Sequence, residues 1–400
     1  MLIISAFYEE TDLSRPNLTR AALRSSYHTS VLTASFQHSV KARAPWRPDD
    51  VQVVRVPKYT TNRSAARLWS HAVFGFGTLF HLARERYSLL YICMPPNLAA
   101  LVAVVMARAT RTPCVVDVVD VWPSPLWRAG GVRRLALGAW GWLGRQAVRM
   151  ADRVVVECDL YRGALPARTL VTIPLAKMQR EAVASDFSEL EAGTLRIAYL
   201  GSFGQNYDFV ALVEILRLVT RWRVILEVIG AGEMKAEVLQ KVSDAGIEVN
   251  DHGVLYDEAA KGEILSRCSL GFNGYVAEAF VGLSYKMVDY LSFGLGLINN
   301  LGSDAWHLVE SEQIGVNYAA GKAQTVAEWI DACDGDEIRE VRKRAFTIFQ
   351  TRYSYDAFQL HVNALVQELR GGALEDLSRR DRFPRAQEAS PRGHGAGGPE

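Results

Sequence analysis

The sequence predicts an α/β protein with two doubly wound, parallel-sheet domains that face each other across a cleft. Two observations carry this prediction: a length of 400 residues, and an alternation of short apolar runs with helical patterns that begins again near residue 195. This length exceeds one ordinary hydrophobic core and suits two domains of about 150 to 200 residues each. No period of 20 to 50 residues recurs, which excludes a solenoid.

Seven apolar runs predict the strands of the first domain. Nearly continuous apolar strands separated by helices are typical of a parallel sheet covered on both faces. The predicted strands are residues 2–6, 30–34, 51–56, 89–93, 114–119, 153–157 and 170–173, and the predicted helices lie around 15–27, 62–86, 97–110 and 130–150. These elements predict a first domain over residues 1–180.

A polar stretch over residues 180–193 is the predicted linker to the second domain, which we place at 190–350. Its predicted strands are residues 195–200, 224–229, 247–249, 270–273, 297–300 and 315–318. An amphipathic pattern from 355 to 370 predicts a final helix. The Arg-, Pro-, Gly- and Ser-rich residues 371–400 predict a disordered tail.

Charge is divided unequally along the chain. Residues 1–180 hold 24 Lys and Arg against 11 Asp and Glu, whereas the whole chain has a net charge of only +1. A basic first half predicts an anionic partner such as membrane lipid, a lipid diphosphate or nucleic acid. No nucleic-acid module is recognisable, so we expect no nucleic-acid partner.

Cysteine usage and hydropathy indicate the compartment. The five cysteines are scattered without a CxxC pair, which favours reduced cytosolic thiols over disulfides or a zinc site. We identify no signal peptide, and the longest apolar run, residues 98–107, is about half a membrane span. A cytoplasmic protein is therefore expected.

The stretch from residue 271 to 300 predicts a strand end, a glycine loop, a short helix and another buried strand. Ser284 is a helix cap and Gly294 suits a left-handed stop. Met287, Val288 and Leu291 would then face the core, and the opposite side would carry Lys286 and Asp289.

Such a helix start is suited to bind an anion. Its free amides would take a phosphate charge, Lys286 would add a point charge, and Asp289 would hold a sugar hydroxyl. The alternative is an ordinary capped helix with an exposed Lys–Asp pair.

The segment from Lys286 to Asn299 resembles the nucleotide-sugar signature of retaining GT-B glycosyltransferases, especially family 4. Asp289 and Gly294 match the spacing of its acid and glycine, and Lys286 matches a lysine found in some branches. Val281 stands where many members carry a second acid. The resemblance implies two Rossmann-like domains, with the helix over 351–370 crossing back to the first domain.

The same resemblance implies where a nucleotide-sugar donor binds. Glycine loops would lie beside the phosphates, although Gln205 and Asn206 replace the usual Arg and Lys. The residues 254 and 255 would contact the base. The implied donor-binding residues are Gly201, Ser202, Val254, Leu255, Gly282, Leu283, Ser284, Lys286 and Asp289.

Two acids end a strand in the first domain and predict its acceptor side. Asp120, followed by Trp-Pro as in many related enzymes, would orient or deprotonate an acceptor hydroxyl, with Asp117 nearby. The alternative is a carboxylate that caps the next turn. The two acids lie three residues apart and do not form a DxD pair, so we expect no metal.

A Trp- and Arg-rich helix in the first domain predicts a surface for anionic lipid. Its segment from 127 to 149 contains no acid, as expected of an interfacial helix. The alternative is a core helix with snorkelling arginines. The predicted membrane and acceptor face consists of Arg133, Arg134, Trp140, Trp142, Arg145 and Arg149.

The resemblance implies a metal-independent hexosyltransferase on the inner face of the plasma membrane, with Asp120 and Lys286 as its catalytic residues. It would move a sugar from a nucleotide-sugar co-substrate, without a cofactor, to a lipid-linked saccharide in capsule, exopolysaccharide or cell-wall assembly. Three alternatives remain: a non-catalytic GT-B partner subunit, a sugar-nucleotide epimerase and, because the first half is basic, a nucleic-acid binder.

Overall fold

Fifteen strands lie in the part of the chain that the computed structural model describes, residues 1–37, 42–43, 50–60, 64–123, 130–167, 169–179, 187 and 191–369. They are β1 (Leu2–Ile4), β2 (Ser30–Ala34), β3 (Phe36–Gln37), β4 (Ala42–Arg43), β5 (Val51–Val54), β6 (Leu90–Met94), β7 (Cys114–Val118), β8 (Arg153–Val156), β9 (Leu170–Thr172), β10 (Thr194–Leu200), β11 (Arg223–Ile229), β12 (Glu248–Asp251), β13 (Leu270–Asn273), β14 (Gly296–Asn299) and β15 (Gly315–Asn317).

Helices connect most of these strands. They are α1 (Arg15–Leu23), α2 (Ala65–Arg84), α3 (Asn97–Thr110), α4 (Gly131–Met150), α5 (Asp159–Ala164), α6 (Phe209–Leu218), α7 (Lys235–Asp244), α8 (Glu258–Leu265), α9 (Tyr285–Ser292), α10 (Asp304–Glu312), α11 (Ala323–Ala332), α12 (Gly335–Ile348) and α13 (Tyr355–Leu369). A π-helical turn, Phe349–Tyr353, joins α12 to the segment before α13.

The strands form two parallel sheets, as predicted. The first sheet has the order β5-β2-β1-β6-β7-β8-β9 and the second β12-β11-β10-β13-β14-β15. Each predicted strand belongs to one of them; the antiparallel pair β3–β4 was not predicted. In each sheet the order reverses at one point, between β1 and β6 and between β10 and β13. Ligands of such sheets bind at these reversals, beyond the carboxyl ends of the strands.

The last helix packs on the first domain. Phe358, Val362 and Leu365 of α13 join a buried cluster with Ile3 and Tyr91 of the first sheet. The predicted linker lies largely outside the described residues, as does the tail 371–400. The domain boundaries themselves therefore stay predictions.

A chain of buried amide side chains links the last three strands of the second sheet. β13, β14 and β15 each end in asparagine, and the parallel register aligns Asn273 with Asn299 and Asn299 with Asn317. Asn273 Nδ2 donates to Asn299 Oδ1 at 2.9 Å, and Asn299 Nδ2 donates to Asn317 Oδ1 at 2.7 Å. At the two ends, Ser284 Oγ donates to Asn273 Oδ1 and Asn317 Nδ2 donates to the carbonyl of Trp306. We call this series the asparagine ladder.

We expect the substitution Asn299→Leu to lower the free energy of unfolding of the second domain by about 2 kcal/mol or more, because it leaves buried amide groups without partners. Denaturant titration of the full chain measures this change. The exposed Asn206→Leu is the control and should change stability by less than about 0.5 kcal/mol. Equal stabilities of the two variants would contradict a structural role for the ladder.

Candidate active site

Helix α9 begins and ends where the sequence predicts. The Ser284 side chain accepts a hydrogen bond from the Met287 amide at 3.2 Å, which confirms the predicted cap. Gly294 has φ +67°, which confirms the left-handed stop. The side of this helix opposite Met287, Val288 and Leu291 is also enclosed, because every residue from Lys286 to Ser292 is buried.

Lys286 lies inside a cage of three tyrosines. Its Nζ is 3.8 Å from the ring centroid of Tyr207, 4.6 Å from that of Tyr275 and 4.9 Å from that of Tyr199. The side chain is only 7% exposed, and Nζ has no hydrogen-bond partner among the described residues. Burial lowers the pKa of Lys286 to about 7. The exposed Lys–Asp pair of the alternative interpretation is therefore absent.

The tyrosine cage compensates the buried ammonium only in part. Ring faces attract a cation, but they do not replace the hydrogen bonds that an ammonium makes in water. An anion bound at the start of α9 would supply those hydrogen bonds and raise the pKa of Lys286 again. The geometry is thus suited to hold a phosphate oxygen.

Asp289 does not pair with Lys286. Its Oδ1 accepts from Lys177 Nζ at 2.6 Å, and the same ammonium lies 2.9 Å from Glu258 Oε2. Lys177 is on the segment that leaves the first domain, where its amide donates to the carbonyl of Tyr353 at 2.9 Å. The Lys177–Asp289 ion pair connects α9 to the segment between the domains. A hydrogen bond from Asp289 to a ribose hydroxyl would therefore compete with this ion pair.

Two glycine-containing loops, one after β10 and one after β11, meet at the carboxyl ends of these strands. A Cβ on Gly230 would lie 1.8 Å from the carbonyl oxygen of Gly201, and one on Gly232 would lie 2.5 Å from that of Phe203. Close backbone approach therefore explains why glycine occupies both Gly230 and Gly232. Ser202 is exposed on the first of these loops.

The loop after β12 reaches the same sheet edge. The Gly230 amide donates to the Gly253 carbonyl at 2.6 Å. Val254 is 48% exposed next to it, whereas Leu255 packs partly against the core. The predicted donor-binding residues from the loops after β10, β12 and β13 thus lie on one edge of the second sheet.

Asp117 is a buried structural acid, which corrects the expectation that it points into the cleft. Its carboxylate accepts two hydrogen bonds from Arg15 Nε, at 2.7 and 2.9 Å, and a third from the Tyr91 hydroxyl at 2.6 Å. The guanidinium of Arg15 also donates to the carbonyls of Ile173 and Pro174. These bonds join α1 to β7 and to the end of β9.

Asp120 stands apart from that pair, on the exposed loop that follows β7. Desolvation by the groups around its carboxylate raises its pKa, and Arg67 partly opposes the rise. Glu157 follows β8 and is 5% exposed; its Oε1 has no hydrogen-bond partner among the described residues. Burial, together with the charges of Asp117 and Asp120, raises the pKa of Glu157 well above its ordinary value, although Arg15 opposes the rise.

Tyr161 and Tyr285 complete this acidic cluster. Tyr161 is buried, whereas the Tyr285 residue is 38% exposed. Desolvation of the hydroxyl raises the pKa of each, and the carboxyl group of Glu157 adds to both increases. Tyr285 is the first residue of α9, so the second domain presents a hydroxyl to the acids of the first. The first turn of α9 therefore connects the two groups, because Tyr285 lies next to the acids of the first domain and the following residue, Lys286, lies in the tyrosine cage.

Helix α4 carries an amphipathic exposed surface. Leu135 is 74% and Trp142 52% exposed, and the exposed arginines are Arg134, Arg145 and Arg149. Trp140 is half-buried, with its indole Nε1 buried and its ring centroid 6.3 Å from that of His71. The side chain of Arg133 lies outside the described residues. Among the helices of the described segments, none is long and apolar enough to cross a bilayer.

Two groups were missed by the sequence analysis. Glu157 follows a buried apolar strand, the same pattern that selected Asp120, so it could have been found. The tyrosine cage had no such signal, because its rings come from strand β10 and from two loops that are distant in sequence. Within the described residues no group of three or more His, Cys, Asp or Glu side chains is placed to hold a metal ion. Metal independence stays a prediction.

Comparison with known proteins supports the architecture. Residues 16–175 match the family model described as a glycosyl transferase 4-like domain. HepE of Anabaena, in complex with UDP, is 15% identical with a TM-score of 0.66, over 92% of this chain and 99% of that one. Sucrose-phosphate synthase of Thermosynechococcus elongatus is 13% identical with a TM-score of 0.68, over 93% and 99%. No curated protein matches the chain in sequence.

These structures have the GT-B fold, and the chain shares it. WaaG, a glycosyltransferase involved in lipopolysaccharide biosynthesis, adds a third likeness at 13% identity and a TM-score of 0.63, over 93% of this chain and 100% of that one. The chain therefore has the GT-B fold, and its residues 16–175 are similar to a glycosyl transferase 4-like domain.

We predict that Lys286→Met stabilises the ligand-free protein, most strongly below pH 7. The pKa of Lys286 is lowered from 10.5 to about 7 by folding. Below pH 7 both states bind the proton, so the full cost of burying the charge is present. The cost falls by about 1.4 kcal/mol per pH unit between pH 7 and 10.5, where only the unfolded chain is protonated.

Thermal unfolding of wild type and variant at pH 6.5 and 9.5 measures this effect. The gain in the midpoint temperature should be larger at pH 6.5. The exposed Lys241→Met, on α7, serves as control and should show no such difference. A gain that is equal at both pH values would show that Lys286 is not a lysine of lowered pKa.

Proposed function

We propose that this protein transfers a hexose from a nucleotide-diphosphate donor to a lipid-linked or saccharide acceptor, with retention and without a metal. The single observation that carries the proposal is the buried Lys286 ammonium, which lacks a hydrogen-bond partner at the start of α9. An anionic diphosphate is the ligand that such a site accommodates best.

The nature of the donor is supported by the similar structures. HepE has been solved with UDP, with UDP and glucose, and with UDP-glucose. In the present chain, Val254 and Leu255 would contact the base from the loop after β12. Gly201, Ser202 and the first amides of α9 would surround the diphosphate, with Gly282, Leu283 and Ser284 behind it.

The proposed transfer is dissociative. The bond between the donor's anomeric carbon and the diphosphate oxygen breaks, and its electron pair stays on the diphosphate. Lys286, Ser202 and the helix amides stabilise that charge more strongly in the transition state than in the ground state. The acceptor oxygen forms its bond to the anomeric carbon on the same face of the sugar.

Asp120 is the proposed acceptor-side residue. It would orient the acceptor hydroxyl and take its proton as the new bond forms. The raised pKa of Asp120 suits this role, since a weaker acid is a stronger base. Burial raises the pKa of Glu157 well above its ordinary value, and in its protonated form this carboxyl would donate a hydrogen bond to the acceptor.

We propose that the protein binds to a membrane surface and takes its lipid-linked acceptor from there. The exposed face of α4 combines Trp142 with cationic Arg145 and Arg149, as in interfacial helices. Helix α2 adds Trp69, 60% exposed, and Phe80, 61% exposed. We therefore place the protein at the cytoplasmic face of the plasma membrane, in capsule, exopolysaccharide or cell-wall glycan assembly.

A non-catalytic partner subunit is the second candidate. Val281 in place of the usual acid favours it, because a donor could bind without being activated. Binding of nucleotide-sugar without transfer, unless another chain is added, would identify this candidate. Isomerised donor would instead identify an epimerase.

We predict that Lys286→Met lowers the transfer rate by about 100-fold or more, because one preorganised donor to the departing charge is worth that factor. Donor consumption in the presence of membrane-extracted acceptor measures the rate. Lys241→Met is the control and should retain wild-type activity. Equal rates of Lys286→Met and wild type would exclude the role of Lys286.

A second prediction concerns vesicles. Wild type should co-sediment with vesicles containing anionic phosphatidylglycerol more than with neutral phosphatidylcholine vesicles, and high salt should weaken this binding. Trp142→Glu should reduce it by about tenfold. Val210→Glu, an exposed apolar residue on α6 of the second domain, should not. Binding that is unchanged in Trp142→Glu would exclude the α4 face.

A further inference from the structure

A carboxylate of the second domain binds the first amides of helix α5 in the first domain. Asp304, the first residue of α10, accepts from the Asp159 amide at 2.6 Å through Oδ1 and from the Leu160 amide at 3.1 Å through Oδ2. The first amides of a helix have no acceptor within the helix itself. One side chain of the second domain therefore satisfies two donors of the first.

The charges around this contact are arranged to support it. Ser303 Oγ donates to Asp304 Oδ2 at 2.8 Å, which fixes the orientation of the carboxylate. The side chain of Asp159 bears a like charge, but it accepts from Arg162 Nε at 3.3 Å and from Thr172 Oγ1 at 3.0 Å. Repulsion between the two carboxylates is thereby reduced on the side of the first domain.

Gly282 allows the two domains to approach each other at this point. A Cβ on Gly282 would lie 2.7 Å from Cys158 Sγ and 3.0 Å from Leu160 Cβ, both in the first domain. The same Cβ would lie 3.1 Å from Asp304 Oδ2, and the Gly282 carbonyl accepts from the Ala305 amide at 3.3 Å. Gly282 and Asp304 thus form one surface of the second domain, and this surface covers the buried thiol of Cys158.

An aromatic pair extends the contact towards the cleft. The rings of Tyr161, on α5, and Phe280, on the loop after β13, are stacked with their centroids 5.8 Å apart. Glu157 directly precedes Cys158, and Gly282 lies three residues before Tyr285, the first residue of α9. The contact therefore sets the distance between the acids of the first domain and the start of α9.

This contact differs in kind from the connection at Lys177. There the two segments that pass between the domains are paired: the Lys177 amide donates to the Tyr353 carbonyl, and the Tyr355 amide donates to the Lys177 carbonyl. Those segments stay together whenever the domains move, because the chain itself joins them. Leu160 and Asp304 are 144 residues apart, so only non-covalent contacts hold them together. A contact of this kind separates when two domains rotate about their connection.

We propose that Asp304 is an interdomain latch, which holds the cleft closed by binding the amides of Asp159 and Leu160. It is a positioning residue, because it acts by keeping Glu157 and its neighbours next to α9. The consequence for sugar transfer rests on the proposed function, whereas the closure itself does not.

Alkylation of the native cysteines by N-ethylmaleimide tests the latch in the full chain. Peptide mass spectrometry gives the rate at each thiol. Cys158 lies under the latch, whereas Cys93 and Cys268 are buried inside the first and the second domain. Asp304→Ala should raise the rate at Cys158 by about tenfold or more, because loss of hydrogen bonds to a charged group shifts the opening equilibrium by that factor. The rates at Cys93 and Cys268 should not change.

Asp331→Ala is the matched control. The Asp331 carboxylate also accepts from two consecutive amides, those of Thr220 and Arg221, each at 3.0 Å, but both belong to the second domain. This variant loses the same kind of contact without affecting the interface between the domains. Its rate of alkylation at Cys158 should equal that of wild type.

Two further variants separate the hydrogen bonds from the close approach. Asp304→Asn should give a rate at Cys158 between those of wild type and Asp304→Ala, because a carboxamide keeps one acceptor oxygen. Gly282→Ala should also raise this rate, because the added methyl group collides with Cys158 and Leu160.

Two results would overturn the latch. One is a rate at Cys158 that stays at the wild-type value in Asp304→Ala and in Asp304→Asn. The other is an equal increase at Cys158, Cys93 and Cys268, which would show that the substitution loosens the whole fold.

Steady-state kinetics test the consequence for transfer, with whichever of UDP-glucose, UDP-N-acetylglucosamine and GDP-mannose wild type consumes fastest. The proposed donor site lies in the second domain, so Asp304→Ala should lower kcat by about tenfold and leave the KM for the donor within about twofold. Asp331→Ala should retain both values. An unchanged kcat in Asp304→Ala would overturn the positioning role. If wild type transfers no sugar, the proposed function fails, and alkylation of Cys158 still decides whether the latch exists.

Discussion

The asparagine ladder is the interaction on which the candidate site depends. Parallel register places Asn273, Asn299 and Asn317 side by side, and each amide both donates and accepts. Polar groups buried in this way are stable only when every member is satisfied. The ladder therefore requires Ser284 at one end and the Trp306 carbonyl at the other, and so it fixes the start of α9 relative to the first turn of α10.

Two neighbouring pockets follow from that constraint. On one side of Tyr275 is the Lys286 ammonium, which has ring faces around it and no hydrogen-bond acceptor among the described residues. On the other side is a cavity lined by the Asp208 carboxylate. The first pocket presents a buried ammonium and the second presents a carboxylate.

Sequence patterns predicted much of this fold, because strand order in α/β proteins follows from buried apolar runs and intervening helices. The cap Ser284 and the stop Gly294 were predicted for the same reason, since each depends on local backbone chemistry alone. The burial of Lys286 could not be predicted: its cage joins Tyr199, Tyr207 and Tyr275 from three separate segments. The partner of Asp289 was also hidden, because Lys177 is 112 residues away in sequence.

The position of α13 has a consequence for synthesis of the chain. Phe358, Val362 and Leu365 complete the hydrophobic core around Ile3 and Tyr91, although more than 260 residues separate the two groups in the sequence. On the ribosome, the first domain therefore lacks part of its hydrophobic core until α13 has been synthesised. The strands and helices of the second domain are consecutive in sequence, so this domain has no such delay. We therefore expect the second domain to complete its folding before the first, although it is synthesised later.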